Sequence, residues 1–82
     1  ITSDNPRNED PLQIANMIMN GIKRSDKICM ELDRSLAIKN AINDLREGDI
    51  VLIAGKGHEN KQIIGNECLD FSDYEEVKKC IV

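Results

Sequence analysis

Two short polar segments carry the residue types best suited to binding chemistry. Residues 4–7 read Asp-Asn-Pro-Arg, and residues 54–59 read Ala-Gly-Lys-Gly-His-Glu; they are called the 4–7 loop and the 54–59 loop below. An arginine matches a carboxylate with two parallel hydrogen bonds, and a glutamate can hold an ammonium group. Together the loops predict a pocket for a small molecule that bears both a carboxylate and an amine.

Pro6 makes the 4–7 loop stiff before any ligand arrives. Its ring fixes its own φ and biases Asn5 toward an extended backbone. The Asn5 amide can both donate and accept hydrogen bonds, and Arg7 adds a planar guanidinium. The loop is therefore a candidate carboxylate clamp, and an exposed turn with a solvated arginine is the alternative.

Glycines on both sides of Lys56 allow the backbone of the 54–59 loop to approach a ligand closely. The spacing differs from the phosphate-binding pattern G-x-x-x-x-G-K-[ST], and Asn60 stands where G-x-G-x-x-G needs its third glycine. His58 is the only histidine, and it is either a simple hydrogen-bonding residue or a catalyst. No catalytic triad and no metal-ligand spacing accompanies it.

Capping residues and helical spacing predict the elements that position these loops. Three helices are expected, each beginning after an N-cap residue. The N-caps are Asp10 for the first, Asp33 or Ser35 for the second, and Ser72 or Asp73 for the third. Gly21 and Gly48 are the expected ends of the first two, Gly21 in a left-handed conformation.

Strands are expected between the helices. Residues 1–4 read as the tail of a strand, residues 27–32 as a second strand, and the uniformly apolar residues 50–54 as a third, covered on both faces. Residues 62–64 and 67–71 predict a hairpin around Gly65-Asn66. The order predicts an α/β fold with a Rossmann-like, mostly parallel sheet, flanking helices and a C-terminal β-hairpin. Both loops would then lie beyond the carboxyl ends of strands.

Composition narrows the function classes. A chain of 82 residues is at most one small domain, here residues 1–82. A net charge of −4 and only one Phe and one Tyr argue against nucleic-acid binding. The three cysteines form no C-x-x-C pair, which favours free thiols in a reducing compartment. No apolar run is long enough to cross a bilayer, so a cytoplasmic location is expected.

Several motifs, taken in order, resemble one family. They are Thr-Ser-Asp-Asn-Pro-Arg at 2–7, Glu-Asp-Pro at 9–11, Asp-Arg at 33–34, and Val-Leu-Ile-Ala-Gly-Lys-Gly-His-Glu at 51–59. This arrangement is similar to the C-terminal domain of the Mur ligases over essentially the whole chain. The resemblance implies an ATP-dependent amide-bond ligase of peptidoglycan synthesis. ATP and Mg²⁺ would phosphorylate the carboxylate of UDP-MurNAc-L-Ala-D-Glu, and the amine of an added amino acid would attack the acyl phosphate.

The resemblance also implies roles for particular residues. In diaminopimelate-adding members the Asp-Asn-Pro-Arg loop recognises meso-diaminopimelate, which matches Asp4, Asn5, Pro6 and Arg7. The 54–59 loop would add contacts from Gly55 and Glu59. Arg34 and His58 would lie near the nucleotide. The resemblance implies no catalytic residue and no metal ligand on this chain.

Diaminopimelate differs from lysine by a second carboxylate. Arg7 would pair with that carboxylate, Asn5 would hydrogen-bond to it, and Glu59 would take the neighbouring ammonium. A buried arginine left unpaired by lysine would disfavour lysine by several kcal/mol. Since lysine-adding members lack an arginine here, the resemblance makes Arg7 the discriminating residue.

The chain is expected to be part of a longer ligase, without its N-terminal and central ATPase domains, and to be inactive alone. ATP, Mg²⁺ and the UDP-linked dipeptide would bind mainly through those domains, and the full-length enzyme would be monomeric, without nucleic-acid or membrane partners. Three alternatives stay open: a stand-alone module that binds a small zwitterion or anion, a structural domain without ligands, and the same domain of a lysine-adding or folylpolyglutamate-type ligase.

Overall fold

The computed structural model describes residues 1–23 and 28–81. Its elements, in chain order, are helix α1 (Pro11–Asn20), helix α2 (Arg34–Asn43), strand β1 (Lys61–Ile64), strand β2 (Glu67–Asp70) and helix α3 (Asp73–Ile81). Within those residues the fold is a small α/β arrangement of three helices and one two-stranded antiparallel hairpin.

Helix α1 begins as the sequence predicts. The Asp10 side chain accepts a hydrogen bond of 3.0 Å from the amide of Leu12, and Pro11 occupies the first turn, where a missing N–H costs nothing. Gly21 follows the last helical residue but has φ −84°, so the predicted left-handed ending is wrong. Its amide is instead shared between the Ile18 and Met19 carbonyls, a closure that any residue can make.

Helix α2 begins behind Asp33, whose side chain accepts from the amide of Leu36 at 3.1 Å. It ends at Asn43, with Asp44 as C-cap, five residues before the predicted stop. Gly48 has φ +88° and lies in a turn in which the Asp49 amide bonds to the Arg46 carbonyl at 2.9 Å. Asparagine and aspartate compete for backbone hydrogen bonds, which favours an ending at 43–44.

Helix α3 follows Ser72, whose carbonyl accepts from the Glu76 amide at 3.0 Å and whose hydroxyl accepts from the Glu75 amide at 3.4 Å. Its first turn is acidic and its last turn is basic, as the helix dipole favours. α3 packs against α2, and the Ser35 hydroxyl donates to Glu76 at 2.8 Å between them.

The predicted hairpin is confirmed. β1 and β2 pair antiparallel with Lys61 opposite Asp70 and Ile64 opposite Glu67. Gly65 at the turn has φ +59°, and a positive φ at the first turn residue is what a tight hairpin requires.

The structure does not contain the expected parallel sheet in the residues it describes. Residues 1–4, 28–32 and 50–54 form no strand, and residue 27 of the second expected strand lies outside the described residues. Ile1 donates to the Cys29 carbonyl at 2.8 Å and accepts from the Glu31 amide at 2.9 Å. That alternation is typical of a parallel pair, but it spans a single residue.

The apolar residues 50–54 explain the difference. Ile50 and Leu52 are 92% and 88% exposed, whereas Val51 and Ile53 are half-buried. An apolar run indicates a preference for burial, but a strand also needs hydrogen-bonded neighbours. Among the described residues this run has one face uncovered and no strand beside it.

The apolar core is small. Of the hydrophobic side chains that the structure describes, only Ala15 of α1 and Ile38 of α2 are buried. Ala15 lies at helical spacing from Leu12 and Ile18, which stay about half exposed on the same face of α1. Hydrogen bonds and ion pairs therefore contribute much of what holds the loops in place. None of the helices in the described ranges has the length and apolarity to cross a membrane.

Candidate functional site

The 4–7 loop lies along β1, a contact that the sequence did not indicate. The amide of Arg7 donates to the Ile63 carbonyl at 3.1 Å, and the Arg7 carbonyl accepts from the Gly65 amide. A turn follows, in which the Glu9 amide bonds to the Pro6 carbonyl at 3.0 Å, and Pro6 itself is buried. The hairpin therefore fixes the backbone of the loop.

Asn5 has a defined amide orientation. Its Oδ1 accepts from the Ile63 amide at 2.8 Å and from the Lys56 ammonium at 3.1 Å. Both partners are donors, so the atom facing them must be the oxygen. The Nδ2 group, the donor half, has no hydrogen-bond partner among the described residues, and this is the half that a ligand carboxylate would use.

Arg7 combines a fixed backbone with a free side chain. Its φ of +53° is the only positive value at a non-glycine residue in the described ranges, and such a conformation costs about 1–2 kcal/mol. The side chain is exposed, and within the described residues its guanidinium makes no ion pair. The hydrogen bonds of the Arg7 backbone to Ile63 of β1 and to Gly65 at the hairpin turn maintain this conformation.

Lys56 joins the two loops and was not among the predicted site residues. Its side chain is completely buried, and its Nζ lies 2.7 Å from Asp4 Oδ1 and 2.8 Å from the Lys61 carbonyl oxygen, besides the bond to Asn5. A lysine set between two glycines at the end of an apolar run was the available signal. The glycines themselves indicated only a close approach of the backbone.

Gly55 has φ +116° and Gly57 has φ +58°, values that other residues rarely adopt. A Cβ atom built on Gly55 would lie 3.6 Å from the nearest Asp4 oxygen, an ordinary contact. The glycine at 55 is therefore required by its backbone angle and not by lack of space. The Lys56 carbonyl then accepts from the Glu59 amide at 3.0 Å, which closes the loop.

Arg34, the first residue of α2, is 4% exposed, and it binds Ser3, just before the 4–7 loop, and Ala54, the first residue of the 54–59 loop. Its Nε and Nη2 donate to the two Asp73 oxygens at 2.7 Å each. Nη1 donates to the Ser3 carbonyl at 3.1 Å and Nη2 to the Ala54 carbonyl at 3.2 Å. One guanidinium thus ties the 4–7 loop, the 54–59 loop and α3 to α2.

The pKa of Arg34 is raised. The hydrogen bonds to Asp73 are the largest cause, the charges of Asp73, Asp4 and Glu59 add to it, and burial opposes it. Arg34 stays charged at every accessible pH. Four N–H···O bonds already occupy its guanidinium, so its expected position near the nucleotide stays a prediction.

His58 and Glu59 are exposed. No hydrogen bond or ion pair among the described residues joins either of them to Arg7. The charge of Glu59 contributes to the raised pKa of Arg34. The roles of Glu59 and His58 stay predictions.

Two cavities reach the two loops: Asp4, Asn5 and Pro6 line one of them, and Asp4 and Gly55 line the other. One of about 190 Å³ separates the 4–7 loop from α1, and one of about 600 Å³ lies between residues 51–55 and α2. Neither is lined by Arg7, His58 or Glu59. A ligand held by Arg7 would therefore sit on an open face of this chain.

The residues present do not fit ATP or Mg²⁺. In the ranges 1–23 and 28–81 no three His, Cys, Asp or Glu side chains come together as a metal site would require. The sequence also lacks the G-x-x-x-x-G-K-[ST] pattern of a phosphate-binding loop.

A family model, related sequences and a solved structure all match this chain and indicate the same family. The family model described as "Mur ligase, glutamate ligase domain" matches residues 1–57. A 2,6-diaminopimelate ligase of Prochlorococcus marinus is 53% identical over 81 residues, covering 99% of this chain and 16% of that protein. A ligase of the same name from Rickettsia montanensis is also 53% identical over 81 residues, covering 99% of this chain and 17% of the relative.

A solved structure titled as a UDP-N-acetylmuramoyl-L-alanyl-D-glutamate–2,6-diaminopimelate ligase superposes with a TM-score of 0.89 at 47% identity. The match covers 98% of this chain and 17% of that structure. The chain thus spans about a sixth of the length of these relatives. The resemblance that the motifs indicated is confirmed: the chain belongs to the Mur ligase family, in the part described as the glutamate ligase domain.

Proposed function

We propose that this chain recognises the amino acid in a ligase that adds 2,6-diaminopimelate to UDP-N-acetylmuramoyl-L-alanyl-D-glutamate during peptidoglycan synthesis. Several relatives that match almost the whole chain carry this activity in their names. The proposal includes three further expectations: ATP as the phosphoryl donor, Mg²⁺ bound with the ATP, and a cytoplasmic location. In the longer ligase we also expect residues 1–4, 28–32 and 50–54 to join a parallel sheet.

One observation carries the proposal: the 4–7 loop is held through the Arg7 backbone and the Asn5 oxygen, while the two groups that suit a carboxylate stay free among the described residues. The Arg7 backbone and the Asn5 oxygen are bound to β1 and Lys56. The Arg7 guanidinium and the Asn5 Nδ2 are left without partners among the described residues. A carboxylate could accept from both, with two charge-assisted bonds from the arginine.

The distal end of diaminopimelate fits this arrangement because it carries a carboxylate beside an ammonium group. Lysine has the ammonium alone, so it would leave the Arg7 guanidinium unpaired. On an open face that loss is worth only about 1 kcal/mol. Strong rejection of lysine therefore requires that other parts of the ligase cover Arg7, which makes unpaired burial costly.

A chimeric ligase provides the test. The 82 residues would replace the matching segment of the Prochlorococcus marinus relative, and Arg7→Ala would be compared with the unmutated chimera. We expect kcat/KM for meso-diaminopimelate to fall about 10- to 100-fold, the range for a hydrogen bond to a charged group. The control is Arg46→Ala, an exposed arginine outside both loops. Equal activity of the two variants would contradict the proposal.

A further inference from the structure

We propose that Lys56 is a positioning residue that turns the donor side of Asn5 toward the ligand and so favours an amino acid with a second carboxylate. The inference rests on the proposed function of the 4–7 loop and adds a residue to it. Lys56 itself is completely buried, so it acts through Asn5 and Asp4 and not by touching the ligand.

The Lys56 ammonium lies among three oxygens. It donates hydrogen bonds to the Lys61 carbonyl at 2.8 Å and to Asn5 Oδ1 at 3.1 Å, and it forms an ion pair with Asp4 Oδ1 at 2.7 Å. A buried ammonium is tolerated only when it is paired and hydrogen-bonded. The positive charge therefore holds the 4–7 loop, the 54–59 loop and β1 in one arrangement.

The first consequence concerns the Asn5 amide. Its Oδ1 has two lone pairs, and the Lys56 ammonium and the Ile63 amide occupy both. A flipped amide would place its own N–H groups against two donors, which is repulsive. Lys56 and the Ile63 amide together exclude the flipped state, and they leave Nδ2, with two N–H groups, as the part of the Asn5 side chain available to a ligand.

The second consequence concerns charge. The Asp4 carboxylate belongs to the same loop as Arg7, and its side chain is 42% exposed. The Lys56 ammonium is its nearest positive charge, and Arg34 lies farther away. Without Lys56 the Asp4 carboxylate would be less compensated, and it would repel a dicarboxylic amino acid more than lysine. Both consequences weaken binding of diaminopimelate specifically.

The test uses the chimeric ligase with Lys56→Met, which keeps the length of the side chain and removes its charge. We expect KM for meso-diaminopimelate to rise about tenfold or more with kcat little changed, because the distal end is remote from the bond being formed. The ratio of kcat/KM for diaminopimelate over L-lysine should fall by the same factor. An equal loss with both amino acids would indicate a purely structural lysine and overturn the proposal.

Adding Asp4→Asn to Lys56→Met separates the two consequences. Recovery of part of the diaminopimelate preference would identify the Asp4 charge as one cause, and no recovery would leave the Asn5 orientation as the cause. Either result requires that Lys56→Met has lowered the preference in the first place.

A second variant guards against loss of the fold in Lys56→Met. Asn5→Asp keeps an oxygen for Lys56 and for the Ile63 amide, but it has no N–H to offer a ligand. We expect it to fold and to lose preference for diaminopimelate about tenfold or more. Retained preference in Asn5→Asp would overturn the role of Nδ2, and therefore of Lys56. If Arg7→Ala alone lowers the preference, the proposed function stands and only the Lys56 inference fails.

Discussion

At the scale of single residues, a positive φ identifies positions where the type of residue matters for the backbone. Arg7 and Gly55 both have positive φ, but only Arg7 has a side chain to place. Such conformations persist where the surroundings enforce them, and they are concentrated at binding sites. At Arg7 the conformation is enforced by the backbone hydrogen bonds to Ile63 and Gly65 of the hairpin.

Gly55→Ala tests the backbone requirement. At φ +116° an alanine is strained whatever the space around it, so we expect a loss of about 1–2 kcal/mol in the free energy of unfolding, measured by urea denaturation. Gly21→Ala is the matched control, because φ there is −84° and alanine fits. An unchanged stability for Gly55→Ala would mean that the 54–59 loop adapts to a side chain.

Sequence reasoning identified the residues of the 4–7 loop but not what holds them. Asp4 to Arg7 were recognisable because their types suit a carboxylate and because their order matches a family. Lys56 was missed because its role depends on oxygens of Asp4, Asn5 and Lys61, which are brought together only by tertiary structure. A single sequence does not show such contacts.

At the scale of elements, the structure is held by a buried ion pair between two helices. Arg34 and Asp73 have side chains only 3% and 9% exposed. Arg34 also donates hydrogen bonds to the carbonyl oxygens of Ser3 and Ala54. Lys79 and Glu76 form another pair, in which the lysine is 71% exposed. Exposed pairs contribute little, whereas breaking a buried pair leaves an uncompensated charge.

Arg34→Met should therefore destabilise the chain by about 3–5 kcal/mol, and Lys79→Gln should change stability by less than about 0.5 kcal/mol. Thermal unfolding followed by circular dichroism measures both. Similar midpoints for the two variants would refute the role given to Arg34.

The hairpin carries a pH-dependent contact of its own. The exposed Lys61 side chain bonds to Asp70 across the strands and lowers the pKa of that carboxyl. A lowered carboxyl pKa means that the contact stabilises the hairpin above the ordinary carboxyl pKa and is lost as the pH falls through the lowered one.

A carbon-detected NMR titration of Asp70 should therefore give a midpoint below that of an ordinary aspartate. In Lys61→Gln the midpoint should return toward the ordinary value, because the hydrogen bond and the positive charge are both removed. The same midpoint in both chains would show that Lys61 does not affect Asp70.

Elements whose signals are local were predictable, and those that depend on neighbours were not. Asp10, Asp33 and Ser72 cap helices as their sequence context indicates, and Gly65 makes the hairpin turn. Residues 50–54 have the composition of a central strand, but strand pairing depends on partners distant in sequence. The contact between the 4–7 loop and β1 is non-local in the same way, because Arg7 and Ile63 are 56 residues apart in the sequence.

At the scale of the whole molecule, the chain encloses little apolar volume. Its shortest dimension is 17 Å, and Ile50 and Leu52 present large apolar side chains to solvent. Adjacent exposed apolar side chains on an extended segment favour association.

We therefore expect the isolated 82-residue chain to self-associate, with a sedimentation coefficient that rises with concentration. Leu52→Lys should shift the equilibrium toward monomer, because it places a charge in the uncovered face. Met17→Lys, at an exposed position of α1, should have a smaller effect. Concentration-independent sedimentation of the unmutated chain would contradict this expectation.

The most direct test of the central claim, that the 4–7 loop selects the amino acid by its second carboxylate, is a competition. The chimeric ligase would receive equal concentrations of meso-diaminopimelate and L-lysine, and mass spectrometry would measure the ratio of the two UDP-linked tripeptides. The account predicts that the unmutated chimera makes almost only the diaminopimelate product and that Arg7→Ala lowers the product ratio about tenfold or more. An unchanged product ratio in Arg7→Ala would contradict it.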